Sequence, residues 1–357
     1  METTVRAVRA ALPLASRSRS TMLGAMFFVL GLALYVTTFV AILLVKEWPL
    51  RVSLAALEGL MVGVLFVVGH DACHGSLTPS STLNAWLGRI AFLPALHPYS
   101  AWQYSHNALH HGWTNLRGKD PVYCPLTLEQ YRQLSPVDRW LERVYRTWPG
   151  LVLLYLVTIW WRLEISPAAD HRAHMGKRST FRSDRAIVIA YPVFQSLVIV
   201  SVHRAAGVSG SMWDILLCVV VPFLVFTWLI GFATFQHHTH PRVLWYRDES
   251  EWSFFRAQVQ STVHVEFPRW IELALNNIME HTAHHIDPKV PLYRLTEAQD
   301  AVEEAFGPEN VITERFSFAS MSATLRKCQL YDFDDHCWLT FDGARTTSPR
   351  LLSLELR

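Results

Sequence analysis

Glu280–His285 reads EHTAHH and places three histidines, His281, His284 and His285, within five consecutive positions. Residues at i, i+3 and i+4 of an α-helix share one face, so the three imidazoles would project together. Two more clusters carry the same residue type at similar spacing. HDACH holds His70 and His74, and HNALHH holds His106, His110 and His111. A fourth group, QHHTH, adds His237, His238 and His240. Neutral imidazole is a borderline donor that suits iron, copper, nickel or zinc, and not magnesium or calcium. Eight histidines from three clusters, with one or two from the fourth, are too many for one tetrahedral zinc. Two neighbouring irons with about five ligands each would use about ten. The count fits a dinuclear site.

Other histidine chemistries lack their signatures. No H-E-x-x-H is present, which argues against a membrane zinc protease. A carboxylate di-iron bundle needs two E-x-x-H motifs, and only Asp71 and His74 of DACH come near one. The apolar runs contain no histidine to hold a haem between them. A metal transporter would want polar groups at mid-membrane, where Glu58 is the single charge and Asp214 lies near an end. The isolated histidines His97, His171, His174, His203, His264 and His336 are read as surface or interface residues without a role.

The elements that must position these clusters are apolar. Thr21–Val45 has no charged residue over 25 positions, enough to cross a ~30 Å hydrocarbon core. Ile215–Gln236 is a second such run, Val52–Gly69 a third interrupted by Glu58, and Ala186–Val202 a shorter fourth. Leu151–Trp161 is too short to span and reads as a helix lying in the interface. The fold class is therefore all-α integral membrane: four transmembrane helices, interfacial helices and a cytosolic histidine-rich cap.

Arg6, Arg9, Arg17 and Arg19 precede the first run, and Arg162, Arg172, Lys177, Arg178, Arg182 and Arg185 precede Ala186. The positive-inside rule then puts both termini, residues 70–185 and residues 237–357 in the cytosol, on the side where every histidine cluster falls. A net charge of +2 with scattered basic residues argues against nucleic acid as a partner. Five cysteines without a C-x-x-C pair suggest reduced thiols. Trp102, Tyr104, Trp113, Trp148, Trp160 and Trp161 read as an aromatic belt at headgroup level in preference to an acyl tunnel.

In order and approximate separation the clusters resemble the boxes H-x3–4-H, H-x2–3-HH and H/Q-x2–3-HH of the integral-membrane fatty acid desaturases, particularly the acyl-lipid (Δ12/ω-type) branch. PYSAWQYSHNALHH (Pro98–His111), FQHHTHP (Phe235–Pro241), DESEW (Asp248–Trp252) and NNIMEHTAHHIDPKVPLY (Asn276–Tyr293) also look like family segments. The resemblance covers residues 25 to 345, and it divides the chain into an N-terminal segment (1–20), a desaturase domain (21–345) and a tail (346–357).

The resemblance implies two iron ions held by His70, His74, His106, His110, His111, His281, His284 and His285, with His238 or His240 completing the set. It implies O2 as co-substrate and a cis double bond placed in the acyl chain of a membrane lipid, an acyl-CoA or an acyl-ACP. Electrons would come from a separate ferredoxin or cytochrome b5, since no H-P-G-G haem motif marks a fused domain. Gln236 could hold a bridging water. A hydroxylase, acetylenase or carotenoid-type oxygenase would share this fold and site, and a non-catalytic membrane metal-binding protein would share the histidines alone. The tails and the lack of a KDEL-type signal suit a bacterial inner membrane, or the ER in a eukaryote. One departure stands out: the middle box is H-x-x-x-HH, which on a regular helix sets His106 and His111 ~140° apart. The spacing predicts a π-bulge or unwinding near Ala108.

Overall fold

A computed structural model describes residues 4–174, 178–205 and 212–352. Lys177, residues 206–211 of the turn after His203 and the last five residues of the tail lie outside the described residues. The chain is mostly helical. Thr21–Leu44, Trp48–His74, Thr180–Ala205 and Met212–His238 are long and apolar enough to cross a membrane. They match the four apolar runs, and the last three outlast theirs. The second continues to His74 and the fourth to His238, so the helices carry histidines that the runs do not. Residues Leu151–Leu153 start a helix that continues as a π-helix over Leu154–Ile165, outside the four spans.

Residues 19–104 and 160–230 form one compact unit. Gly59 and Gly63 of the second span lie one turn apart on its face toward the fourth. A Cβ added at Gly59 would sit 2.5 Å from Val225 Cβ, and one at Gly63 2.5 Å from Leu229 Cδ2. Close backbone approach at a small-x-x-x-small pair replaces the hydrophobic drive that lipid cannot supply between helices. At the opposite end from His70, Arg51 pairs with Asp214 and ties the starts of the second and fourth spans together. Glu58 is fully buried beside a small cavity that Tyr35, Gln195 and Cys218 also line.

Residues 1–18, 105–159 and 231–357 form the other unit. Its core helices are short, and two small sheets stitch them. Strands β1 (Val263–Glu266) and β2 (Ile312–Arg315) pair in parallel, and β3 (Leu330–Asp332) and β4 (Cys337–Leu339) form an antiparallel pair. Strands of three or four residues are too short for apolar alternation to show, so the sequence reading has no strands. The N-terminal segment docks in this unit. Arg9 Nε donates to the Ile286 carbonyl at 3.0 Å, and Arg17 pairs with Asp287 at 2.6 Å. Both arginines thus meet the C-terminal end of His281–Ile286, where a helix leaves carbonyls to be satisfied.

Replacing Gly63 by leucine should force the second and fourth spans apart. A cost of about 1–3 kcal/mol is the usual scale for overpacking. The melting temperature of the detergent-purified protein should fall, and an unchanged one would contradict this packing.

Candidate metal centre

The middle cluster shows how local backbone serves the site. Gln103–His110 is a π-helix, as the six-residue box requires. Its i→i+5 hydrogen bonds bring residues five apart into line. His106 and His111 then meet with their Nε2 atoms 3.2 Å apart. His110, one position earlier, points elsewhere, because neighbouring residues on a helix diverge by about 100°.

That divergence splits the pairs His110–His111 and His284–His285 between two groups of nitrogens. In one group His284 Nε2 lies 3.1 Å from His111 Nε2, which in turn meets His106. In the other, His110, His238, His281 and His285 are all buried and offer ligand nitrogens within 4.8 Å of one another. His281 and His238 approach to 2.9 Å through Nε2. The last cluster therefore does not act as one face: His281 and His285 serve one group and His284 the other. In the membrane unit, the Nε2 atoms of His70 and His74 are 3.3 Å apart, on the last turns of the second span. Metal–imidazole bonds of about 2.0–2.1 Å place two ligands about 2.9 Å apart at a right angle and about 3.4 Å apart at the tetrahedral angle. The observed separations of 2.9–3.3 Å fall in the same range as such edges.

The donor chemistry fits a cation too. His110 Nδ1 donates to Asp120, at 3.0 Å from Oδ1 and 3.2 Å from Oδ2, and His285 Nδ1 donates to Gln258 Oε1 at 2.7 Å. Each bond turns the ring's Nε2 into a lone pair. That of His285 is buried with no hydrogen-bond partner. Asp120 is itself fixed by the Asn115 and Val122 amides, at 2.8 and 2.9 Å, and Gln258 donates back to the His111 carbonyl at 2.9 Å. Carboxylate and amide partners of this kind set the tautomer and aim of a metal-binding histidine. Burial and the neighbouring imidazoles push His281 and His285 well below the ordinary histidine range, so both present neutral rings.

His240 lies outside both groups. Its Nδ1 accepts from the Arg242 amide at 3.0 Å and its Nε2 faces Glu314 at 3.8 Å. Burial and the positive charges of Arg242, Arg350 and Lys327 hold it down to about 4. Gln236 is buried at the end of the fourth span, and His237 stacks on His281 with ring centroids 3.7 Å apart.

Of the histidines read as surface or interface residues, four are buried: His97, His203, His264 and His336. His97 gives the clearest reason. Its ring is packed by Phe66, Trp102 and Phe226, and its Nδ1 meets the Ala95 carbonyl at 2.6 Å. Burial outweighs that bond and lowers it to about 3. His171 is half-buried beside Tyr104, and the side chain of His174 lies outside the described residues. His264 sits between carboxylates, with Nδ1 2.6 Å from Glu303 and Nε2 3.0 Å from Glu280. Burial opposes its charge, but the bonds and charges of Glu280 and Glu303 prevail and carry it up to about 9. Glu303 is drawn down to about 2: burial opposes its charge, and hydrogen bonds from His264, Gln299 and Thr313 outweigh burial. Sequence reading missed Asp120, Gln258 and this His264 network because each partner is remote from its histidine or sits in a loop.

Membrane-length helices joined to buried imidazole groups define a membrane protein of the histidine-box class. The chain belongs to the fatty acid desaturase family, whose sequence profile matches residues 46–316. It is 30% identical over 309 residues to the sn-1 oleoyl-lipid 12-desaturase of Picosynechococcus sp., covering 84% of this chain and 82% of that one. Over 315 residues it is 28% identical to the chloroplastic omega-6 fatty acid desaturase of Spinacia oleracea, covering 87% of this chain and 66% of the spinach protein. It is also 28% identical over 317 residues to the sn-1 acyl-lipid omega-3 desaturase (ferredoxin) of Synechocystis sp., covering 85% and 81%.

Asp120→Asn should weaken metal binding about 10–100-fold, the usual effect of losing a ligand's orienting partner. A cobalt titration checks this, and wild-type affinity in the variant would remove Asp120 from the site. A second expectation concerns pH. Stabilisation from His264 is complete below about 6.5 and lost as pH rises through about 9. That from Glu303 is complete above about 4.5 and lost as pH falls through about 2. The melting-temperature gap between wild type and His264→Gln should therefore shrink between pH 7 and pH 10. A gap that widens would contradict the ion pairs.

Proposed function

We propose that this protein is an acyl-lipid desaturase that removes two hydrogens from adjacent methylenes of a membrane-borne acyl chain. The observation that carries the reading is the pair of all-imidazole groups, one of them wholly buried, in a chain of the desaturase family with membrane-length helices. We assign two iron ions as cofactors. When bound, they supply O2 activation strong enough to break an unactivated C–H bond, chemistry beyond acid or base side chains.

His110, His238, His281 and His285 would hold one ion. His106, His111 and His284 would serve the other. His70 and His74 are assigned as further ligands, on the box pattern of the family and on the spacing of the pair. His238 is assigned in place of His240, whose Nδ1 already accepts a backbone hydrogen bond. Asp120 and Gln258 keep the Nε2 lone pairs of His110 and His285 aimed inward, and burial of these rings keeps bulk water away. In sum, the acyl chain yields two hydrogens, and these join O2, two electrons and two protons to leave as two waters.

The names of the relatives support an oleoyl group esterified in a glycerolipid as substrate, a second double bond at carbon 12, and a ferredoxin as donor. Acyl-CoA, acyl-ACP and cytochrome b5 have no such support. The arginine-rich segments before the first and third spans support a cytosolic site, and a bacterial inner membrane is the location we assign. Residues 21–345 would form the catalytic domain.

Expression with a ferredoxin in a host whose lipids contain oleoyl chains tests the reading by mass spectrometry of its acyl groups. A diene should appear with the wild-type chain and with His240→Gln, and vanish with His284→Ala and His238→Ala. Hydroxylated chains would replace desaturation by oxygen insertion. Unchanged lipids with bound metal would leave a non-catalytic metal-binding protein.

A further inference from the structure

We infer that His264 is a positioning residue for the third histidine cluster, acting as a cation through Glu280 on one side and Glu303 on the other. The inference rests on the metal-binding reading above. His264 stands on β1 and is buried, with both ring nitrogens against carboxylates at 3.0 and 2.6 Å. Glu280 is the residue just before the helix His281–Ile286, and its side chain caps none of that helix's amides. The cap comes from elsewhere. The Ala283 amide, in the first turn, donates to Gln299 Oε1 at 2.9 Å, and Gln299 Nε2 donates to Glu303 Oε1 at 3.0 Å. Thr313 adds a third bond to the same Glu303 oxygen at 2.8 Å. One imidazolium thus grips the residue that enters the helix and, through Glu303 and Gln299, an amide inside it.

That grip matters because the helix has six residues, far below the ~12–15 that hold together without tertiary support. The aim of His281, His284 and His285 depends on whatever fixes their first turn. At the other end Arg9 and Arg17 do the same work.

A rival reading makes this cluster a third metal site, since His264, Glu272 and Glu280 offer donor atoms within 4.8 Å. Arg269 argues against it. Its guanidinium lies 3.3 Å from Glu272 and 3.9 Å from Glu280, so the carboxylates already have their cations.

The test uses the full chain in lipid nanodiscs, titrated with cobalt(II) and followed by visible absorption, metal count and melting temperature. Wild type should bind two cobalt ions. His264→Gln should bind about tenfold more weakly or worse with an altered cobalt spectrum, and His264→Lys, which keeps a cation, should recover part of both. Should His264→Gln fail to fold, Glu303→Gln cuts the same chain at its second link and should shift cobalt affinity in the same direction. Wild-type affinity and spectrum in the folded variant would overturn the positioning role. So would three ions in wild type with one lost in His264→Gln, in favour of the third metal. A wild type that binds no cobalt would sink the metal reading itself, a separate result.

Discussion

A buried imidazole has one nitrogen that must give a proton away and one that must receive something. In the group of His110, His238, His281 and His285, two rings have already given their Nδ1 protons to Asp120 and Gln258. Their remaining lone pairs turn toward the other rings, away from water. Lone pairs that converge without a donor are costly to bury, on the order of 1–3 kcal/mol each. A cation relieves that cost at once. The rest of the unit can be understood as what it takes to keep four such rings together in spite of it.

Three devices contribute, and each answers a defect in the local helix. The π-helix Gln103–His110 corrects a spacing that an α-helix would misalign. Arginines from the N-terminal segment close the end of the helix His281–Ile286, while Gln299 closes its start. Adjacent histidines need no correction, because their divergence on a helix is what lets a pair face two centres. A short helix carrying three aimed rings is unstable alone and becomes definite only in its clamp.

Much of this was legible in the residues. Apolar runs gave the four spans, the three boxes gave most of the rings, and one surplus residue in HNALHH foretold the π-helix near Ala108. The helix ends were less legible. Hydropathy falls at Gly69 and Gln236, yet the helices run on to His74 and His238, because backbone hydrogen bonding does not stop where apolar character does. The partners of the rings were least legible. Asp120 reaches His110 from a loop, and Gln258 reaches His285 across 27 residues. No periodicity marks such contacts. His264 failed for a related reason: a lone histidine carries no spacing signal, and its carboxylates come from residues 16 and 39 positions away.

Arg9 and Arg17 show how one residue satisfies two constraints on different scales. As basic residues before an apolar run, they carry the charge pattern by which the positive-inside rule reads orientation. In the folded chain the same guanidiniums meet Ile286 and Asp287, at the end of the metal-type helix. The insertion signal and the closing of the cluster are therefore linked. With the later spans in place, a first span that did not cross would leave the N-terminal segment across the bilayer from the helix it caps, since guanidinium groups cannot be drawn through hydrocarbon without several kcal/mol of cost. Topology in this protein is thereby a condition for assembling the imidazole group, and a charge pattern that serves insertion also serves the geometry of the site.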